Sequence, residues 1–120
     1  MSEGNPTYPP IIRNEVRQPD GSVLLDLWVG ADLPLLAGHF PGQPILPGIV
    51  QLYWAKLLAA ARFPIEGKFS RIANLKFHRP IQPDSLVSLH LSYHSDRRHL
   101  TFSYRSPVGD HAAGRLEFGS

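Results

Sequence analysis

The segment GHFPGQPILPGIVQLYWA, residues 38–55, holds one histidine among alternating glycines and prolines, runs on into apolar residues, and contains no carboxylate. His39 carries the one side chain whose unperturbed pKa lies near neutrality, so it can act as a base. The glycines and prolines between Gly38 and Gly48 impose a tight, rigid path, and such a path holds the imidazole against whatever follows it. A helix is expected to follow. Its first amides have no internal partner and carry the positive end of the helix dipole. Gly48 has no side chain to block approach, so a carbonyl oxygen can sit on its N–H and gain charge there at low cost. A base beside such a site is the equipment for removing a proton α to a carbonyl. The plainer alternative is that the punctuation builds a buried loop whose backbone His39 hydrogen-bonds. The residues alone leave both open.

The flanking elements must position this segment. IIRNEVRQPDGSVLLDLWVGA reads as two strands around a turn at Pro19, Asp20 and Gly21. After the turn Val23, Leu25, Leu27 and Val29 alternate with Ser22, Leu24, Asp26 and Trp28, giving one apolar and one mixed face. DLPLLAGHFPGQPIL is a long irregular connection. Pro47 suits the first turn of the helix, where its missing N–H goes unneeded. GIVQLYWAKLLAAARF is apolar on every side, interrupted only by Gln51, Lys56 and Arg62, and a helix apolar all round is buried all round. KFSRIANLKFHRPI, SLVSLHLSYHS, HLTFSYRSP and HAAGRLEFG alternate as strands, bounded by RPIQPD, SDRR and SPVGD. The expected fold is α+β, one antiparallel β-sheet wrapped around one long buried central helix. It forms a single domain over residues 1–120, with 1–10 as a loose arm. The competing arrangement lays the helix flat on one face of the sheet, which would expose one side of it to water.

Composition narrows the function classes. A chain of 120 residues fits one domain with a real core. It has no cysteine, so disulfides and thiolate metal sites are excluded. The opening MSEGNPTYPP lacks the basic and apolar regions of a signal peptide, and no apolar run reaches the ~20 residues of a membrane helix. A cytoplasmic protein is expected, with no membrane insertion. A net charge of +2 is too mild for a dedicated nucleic-acid binder but suits an acidic partner. His90 and His94 have a metal-pair spacing only on a helix; on a strand they stand roughly 13 Å apart at ~3.3 Å per residue. His39 has no neighbouring ligand, so no metal is expected.

GHFPGQPILPG resembles the signature of the β-hydroxyacyl-acyl carrier protein dehydratases, the FabA/FabZ type of hotdog fold, and ANLKFHRPIQPDS is similar to that family's strand after the helix. The resemblance extends over nearly the whole chain beyond the N-terminal arm. PILPGIVQLYWA and the short strands look closest to the ApeI-like branch, associated with aryl polyene-type biosynthesis. The resemblance implies dehydration of 3-hydroxyacyl-acyl carrier protein thioesters to trans-2-enoyl thioesters, in fatty acid or aryl polyene-type biosynthesis. His39 would take the α-proton and Gly48 would offer its N–H to the thioester carbonyl. Phe40, Pro41, Gly42, Pro47, Gln51 and Phe77 are the implied substrate-binding positions. The implied partners are an acyl carrier protein, whose phosphopantetheine arm brings the substrate, and a second copy in a homodimer or higher oligomer. No cofactor is implied.

One departure stands out. Where the family's helix carries Asp or Glu, fourteen residues after the histidine, this chain has Tyr53. Losing a group that assists departure of the hydroxyl typically costs ~10²–10⁴-fold in rate. Tyr53 can donate the proton itself; His39 can do both jobs while Tyr53 positions the substrate or merely packs; or a second hotdog subunit supplies the acid. The last makes this chain a non-catalytic or half-site subunit of a heterocomplex. Acyl thioesterase activity is a further alternative, weakened by the missing carboxylate. Asp32, Asp84 and Glu66 are poorly placed to substitute. Gln51 lies on another face of the helix, suited to a backbone carbonyl or to substrate. Lys68, Arg71, Lys76 and Arg79 flank the strand after the helix and are the candidate docking residues for an acidic carrier protein; Arg97 and Arg98 sit in a turn.

Overall fold

The computed structural model describes residues 10–30 and 45–119, running β1 (Ile11–Arg17), β2 (Val23–Val29), α1 (Gly48–Ala60), β3 (Lys68–Phe77), β4 (Ser85–His94), β5 (His99–Ser106) and β6 (Gly109–Gly119). All but Pro10 of the expected arm lies outside the described residues, as do Asp32 and His39, Phe40, Pro41 and Gly42 of the motif.

The six strands form one antiparallel sheet in the order β1-β2-β4-β5-β6-β3. The β1–β2 turn forms as its residues dictate. Asp20 Oδ1 accepts the Ser22 N–H at 2.9 Å, and Gly21 takes φ 90°, a conformation that only glycine adopts cheaply. Alternation then decides which side faces inward. Val23, Leu25, Leu27 and Val29 of β2, Val87, Leu89 and Leu91 of β4, and Leu100, Phe102 and Tyr104 of β5 are all buried against the helix. Val50, Trp54, Ala55, Leu58 and Ala59 meet them from α1. The expected architecture, a sheet curled around one helix, is the one observed.

The helix itself differs from expectation in one respect. Within the single chain it buries one face, while Ile49, Tyr53, Lys56 and Leu57 are exposed on the other. Burial all round, inferred from composition, is therefore not completed by this chain's own described residues. The edge strand β3 repeats the pattern. Only Ala73 of its ten residues is buried, and Phe69, Ile72, Leu75 and Phe77 are exposed. Pro47 stands one position earlier than expected, as N-cap, with φ −60° and ψ 147°.

At its other end the helix is clasped to β1. Arg62 donates to Leu58 O at 3.1 Å and, through two nitrogens, to both carboxylate oxygens of Glu15 at 2.8 and 2.9 Å. Arg17 donates to Arg62 O at 2.9 Å and lies over the Phe63 ring at 5.2 Å. The Arg62 bond holds the Glu15 carboxyl below its ordinary range.

Candidate functional site

The start of α1 is held by a short ladder. Leu46 N–H donates to Ile81 O at 2.8 Å, bringing the segment before the helix onto the connection between β3 and β4. Pro47 O then accepts from Val50 and Gln51 at 3.1 and 3.2 Å, which closes the first turn. Gly48 and Ile49 N–H donate to no acceptor among the described residues. These two amides lie at the positive end of the helix dipole.

Phe77, at the end of β3, packs over Gly48: a Cβ built on Gly48 would lie 2.8 Å from Phe77 Cζ. The structure thus brings together Pro47, Gly48 and Phe77. Gln51 is buried, its Nε2 donates to Leu46 O at 3.1 Å, which ties it to the pre-helix segment, and its Oε1 has no partner among the described residues. Tyr104 supports the same turn from below, donating its hydroxyl to Gln51 O at 2.7 Å, and complete burial pushes that phenol far above its ordinary range.

Tyr53 lies a turn along, on the exposed face. With Ile49, Lys56, Phe69 and Ile72 it lines an apolar groove of about 220 Å³ between α1 and β3. Lys56 Nζ lies 5.2 Å from the centre of the Phe69 ring. Lys56 stands in the sequence as an interruption of the apolar run, and its spacing of three from Tyr53 puts both on one helix face. The groove is the right kind of surface for a hydrocarbon chain: largely apolar, beside the first turn of the helix, and edged by one hydroxyl and one cation.

The four candidate docking residues do not form one cluster. Lys68 and Arg71 open β3, and Arg71 pairs with Glu117 at 3.1 Å. Lys76 and Arg79 stand at the other end, on either side of Phe77 in the sequence; Arg79 Nε lies 3.0 Å from where a Gly109 Cβ would sit. At ~3.3 Å per residue the strand sets even the nearest members of the two pairs, Arg71 and Lys76, roughly 16 Å apart. Among the described residues no three His, Asp, Glu or Cys side chains converge on a metal position. His94 instead faces His99 across the β4–β5 hairpin, ring centres 4.9 Å apart. Among the described residues no helix is long and apolar enough to cross a membrane.

A family model described as ApeI-like, ApeI dehydratase, matches residues 15–115. The 3-hydroxyacyl-[acyl-carrier-protein] dehydratase FabZ of Novosphingobium aromaticivorans is 33% identical over 91 residues, covering 68% of this chain and 58% of that protein. The chain spans little more than half the length of the curated relatives it matches. Among solved structures, the dehydratase heterocomplex ApeI:P from Xenorhabdus doucetiae superposes with a TM-score of 0.86 at 26% identity, covering 94% of this chain and 100% of that one. An uncharacterized protein from Erwinia carotovora subsp. atroseptica superposes at 0.78 with 31% identity, covering 93% and 97%.

Proposed function

The chain belongs to the ApeI-like dehydratase family, and from that premise we propose that it removes water from 3-hydroxyacyl thioesters carried on the phosphopantetheine of an acyl carrier protein. In this reading His39 takes the α-proton, and the thioester oxygen, as it gains charge, rests on the Gly48 N–H. The 3-hydroxyl leaves as water with a proton from Tyr53. The acyl chain lies in the groove between α1 and β3. The observation that carries the reading is the pair of amides at Gly48 and Ile49, which meet no acceptor among the described residues, follow the histidine motif in the sequence and open the helix beside an apolar groove. Hydrogen-bond donors fixed before charge develops need no reorganisation when it does, and they supply a large share of such rate enhancements. Elimination of water transfers no electrons to or from the enzyme, so the proposed step needs no redox cofactor. Lys76 and Arg79, at the same end of β3, are the pair placed to meet an acidic carrier protein.

The test is conversion of a 3-hydroxyacyl thioester to the enoyl product, followed in both directions by the purified protein and by His39→Ala. His39-dependent conversion is expected; equal conversion by both proteins, or none by either, removes the proposal.

Two observations favour an assembly. The exposed faces of α1 and β3 are apolar and adjacent, and a phenol stands where the family's carboxylate is expected. We propose that this face seats a second hotdog subunit, a copy of this chain or a homologue that brings the acid. Activity that appears only on mixing with a carboxylate-bearing homologue would assign the second form.

A further inference from the structure

On the far side of the β5–β6 hairpin lies a second constellation. Tyr104 pairs with Ala112 but Arg105 pairs with Asp110, so β6 carries one extra residue, His111, with no place in the ladder. A bulge of this kind re-aims a side chain. Here it turns the imidazole inward: His111 is buried, with Nδ1 3.2 Å from Arg79 O and Nε2 2.7 Å from Ser106 Oγ. A carbonyl oxygen only accepts, so Nδ1 carries the ring proton. Nε2 is then the lone-pair nitrogen, and Ser106 must donate to it. The Val108 N–H donates to Ser106 Oγ at 3.3 Å and fixes the hydroxyl's rotamer. Ser106 and His111 both line a cavity of about 820 Å³, together with Arg79, Ser85, Leu86 and Val108.

A hydroxyl bonded to an imidazole whose other nitrogen is oriented by a third group is the arrangement of an activated nucleophile. A hairpin staple would need only the bond. Here the pair also faces a cavity, with a guanidinium beside the turn that carries the serine. We propose that Ser106 is a nucleophile activated by His111, and that the cavity accepts acyl esters or thioesters.

In the first step Ser106 Oγ bonds to the acyl carbon as its proton passes to His111 Nε2. The carbonyl oxygen, gaining charge, is stabilised by Arg79. The C–S or C–O bond then breaks, and the leaving thiolate or alkoxide takes the proton from Nε2. A water molecule reverses the sequence: its proton goes to Nε2, its oxygen bonds to the acyl carbon, and Ser106 Oγ leaves and regains the proton. The Arg79 carbonyl accepts from Nδ1 throughout, in the place a carboxylate occupies in stronger triads, so turnover is slow. The site shares none of His39, Gly48 or Tyr53 and stands whether or not the chain is a dehydratase.

The experiment is labelling of the intact protein with a fluorophosphonate, located by peptide mass spectrometry, alongside turnover of p-nitrophenyl acetate. The adduct is expected on Ser106 and not on Ser85 or Ser88 of the same cavity, and to persist in His39→Ala. Ser106→Ala is expected to abolish both labelling and turnover, and His111→Gln to slow labelling by about 10²-fold. No adduct on Ser106 in the folded protein, no turnover lost with Ser106→Ala, or full-rate labelling in His111→Gln overturns the proposal. If His111→Gln does not fold, wild type before and after heat unfolding decides. Labelling confined to the folded form supports the site, and equal labelling of both forms removes it.

Discussion

In the proposed reaction Tyr53 is the residue that supplies the leaving group's proton. Among the described residues that line the groove it carries the one hydroxyl, and phenylalanine would keep the packing while removing the proton. Tyr53→Phe is therefore expected to lower kcat by about 10²-fold or more while KM changes little, because general-acid assistance acts on the leaving group rather than on binding. The enoyl product's absorbance measures both, and an unchanged kcat would assign Tyr53 to packing alone. Gly48 gives a second prediction at this scale. A methyl there would sit 2.8 Å from Phe77 Cζ, but that ring is half exposed and can swing aside. Gly48→Ala is expected to leave the melting temperature within a few degrees of wild type and to lower kcat/KM by at least about tenfold, with the displaced ring and the methyl crowding the amide. Phe77→Ala added to it should recover part of the loss; no recovery would place the damage elsewhere. The Pro-Gly punctuation, and the free amides it implies, could be read from the sequence. That Phe77 covers Gly48 could not, because the contact depends on how β3 ends. The same holds for Gln51, whose inward placement follows from the Leu46 carbonyl that the Leu46–Ile81 bridge delivers to it.

Among the elements, strands were legible wherever alternation met turn chemistry, and all six lie where the pattern put them. Less legible were the ties between elements far apart in sequence. The clasp of Arg62 on Glu15 joins the end of α1 to β1, and neither residue's neighbourhood announces it. It has a pH signature whose sign follows from Glu15. The folded-state pKa lies below the ordinary 4.5, first through the hydrogen bond from Arg62. The carboxylate thus adds stability above the unfolded value, and that contribution is lost as pH falls through the folded one. Glu15→Gln should lower the melting temperature modestly at neutral pH, and the gap from wild type should close as pH drops below about 4.5. A gap that persists in acid would show that packing, not charge, joins the two elements. The exposure of Glu15 keeps the effect small. Trp54 marks the opposite extreme: fully buried beneath the sheet, its replacement by alanine should cost about 3–5 kcal/mol in denaturant unfolding.

For the whole molecule, the sequence's strongest statement, a helix apolar on every side, is only half met by the described residues. The sheet covers Val50, Trp54 and Leu58, and leaves Ile49, Tyr53 and Leu57 beside the exposed Phe69 and Ile72 of β3. Contiguous apolar surface beside a strand edge that no described residue pairs with is what an interaction face looks like. Composition counts apolar residues but does not say which molecule covers them, so burial was legible and its source was not. A charge placed on this face tests the point. Leu57→Asp and Ile72→Asp both replace exposed side chains, so neither should disturb the single chain's core. Each is expected to leave the folded spectrum intact, to reduce the mass measured by light scattering to that of one chain, and to abolish dehydration with it. Loss of both together would tie the chemistry to the covered face. A variant that keeps the wild-type mass would show that another surface makes the assembly, and the apolar face of α1 would then need a different occupant.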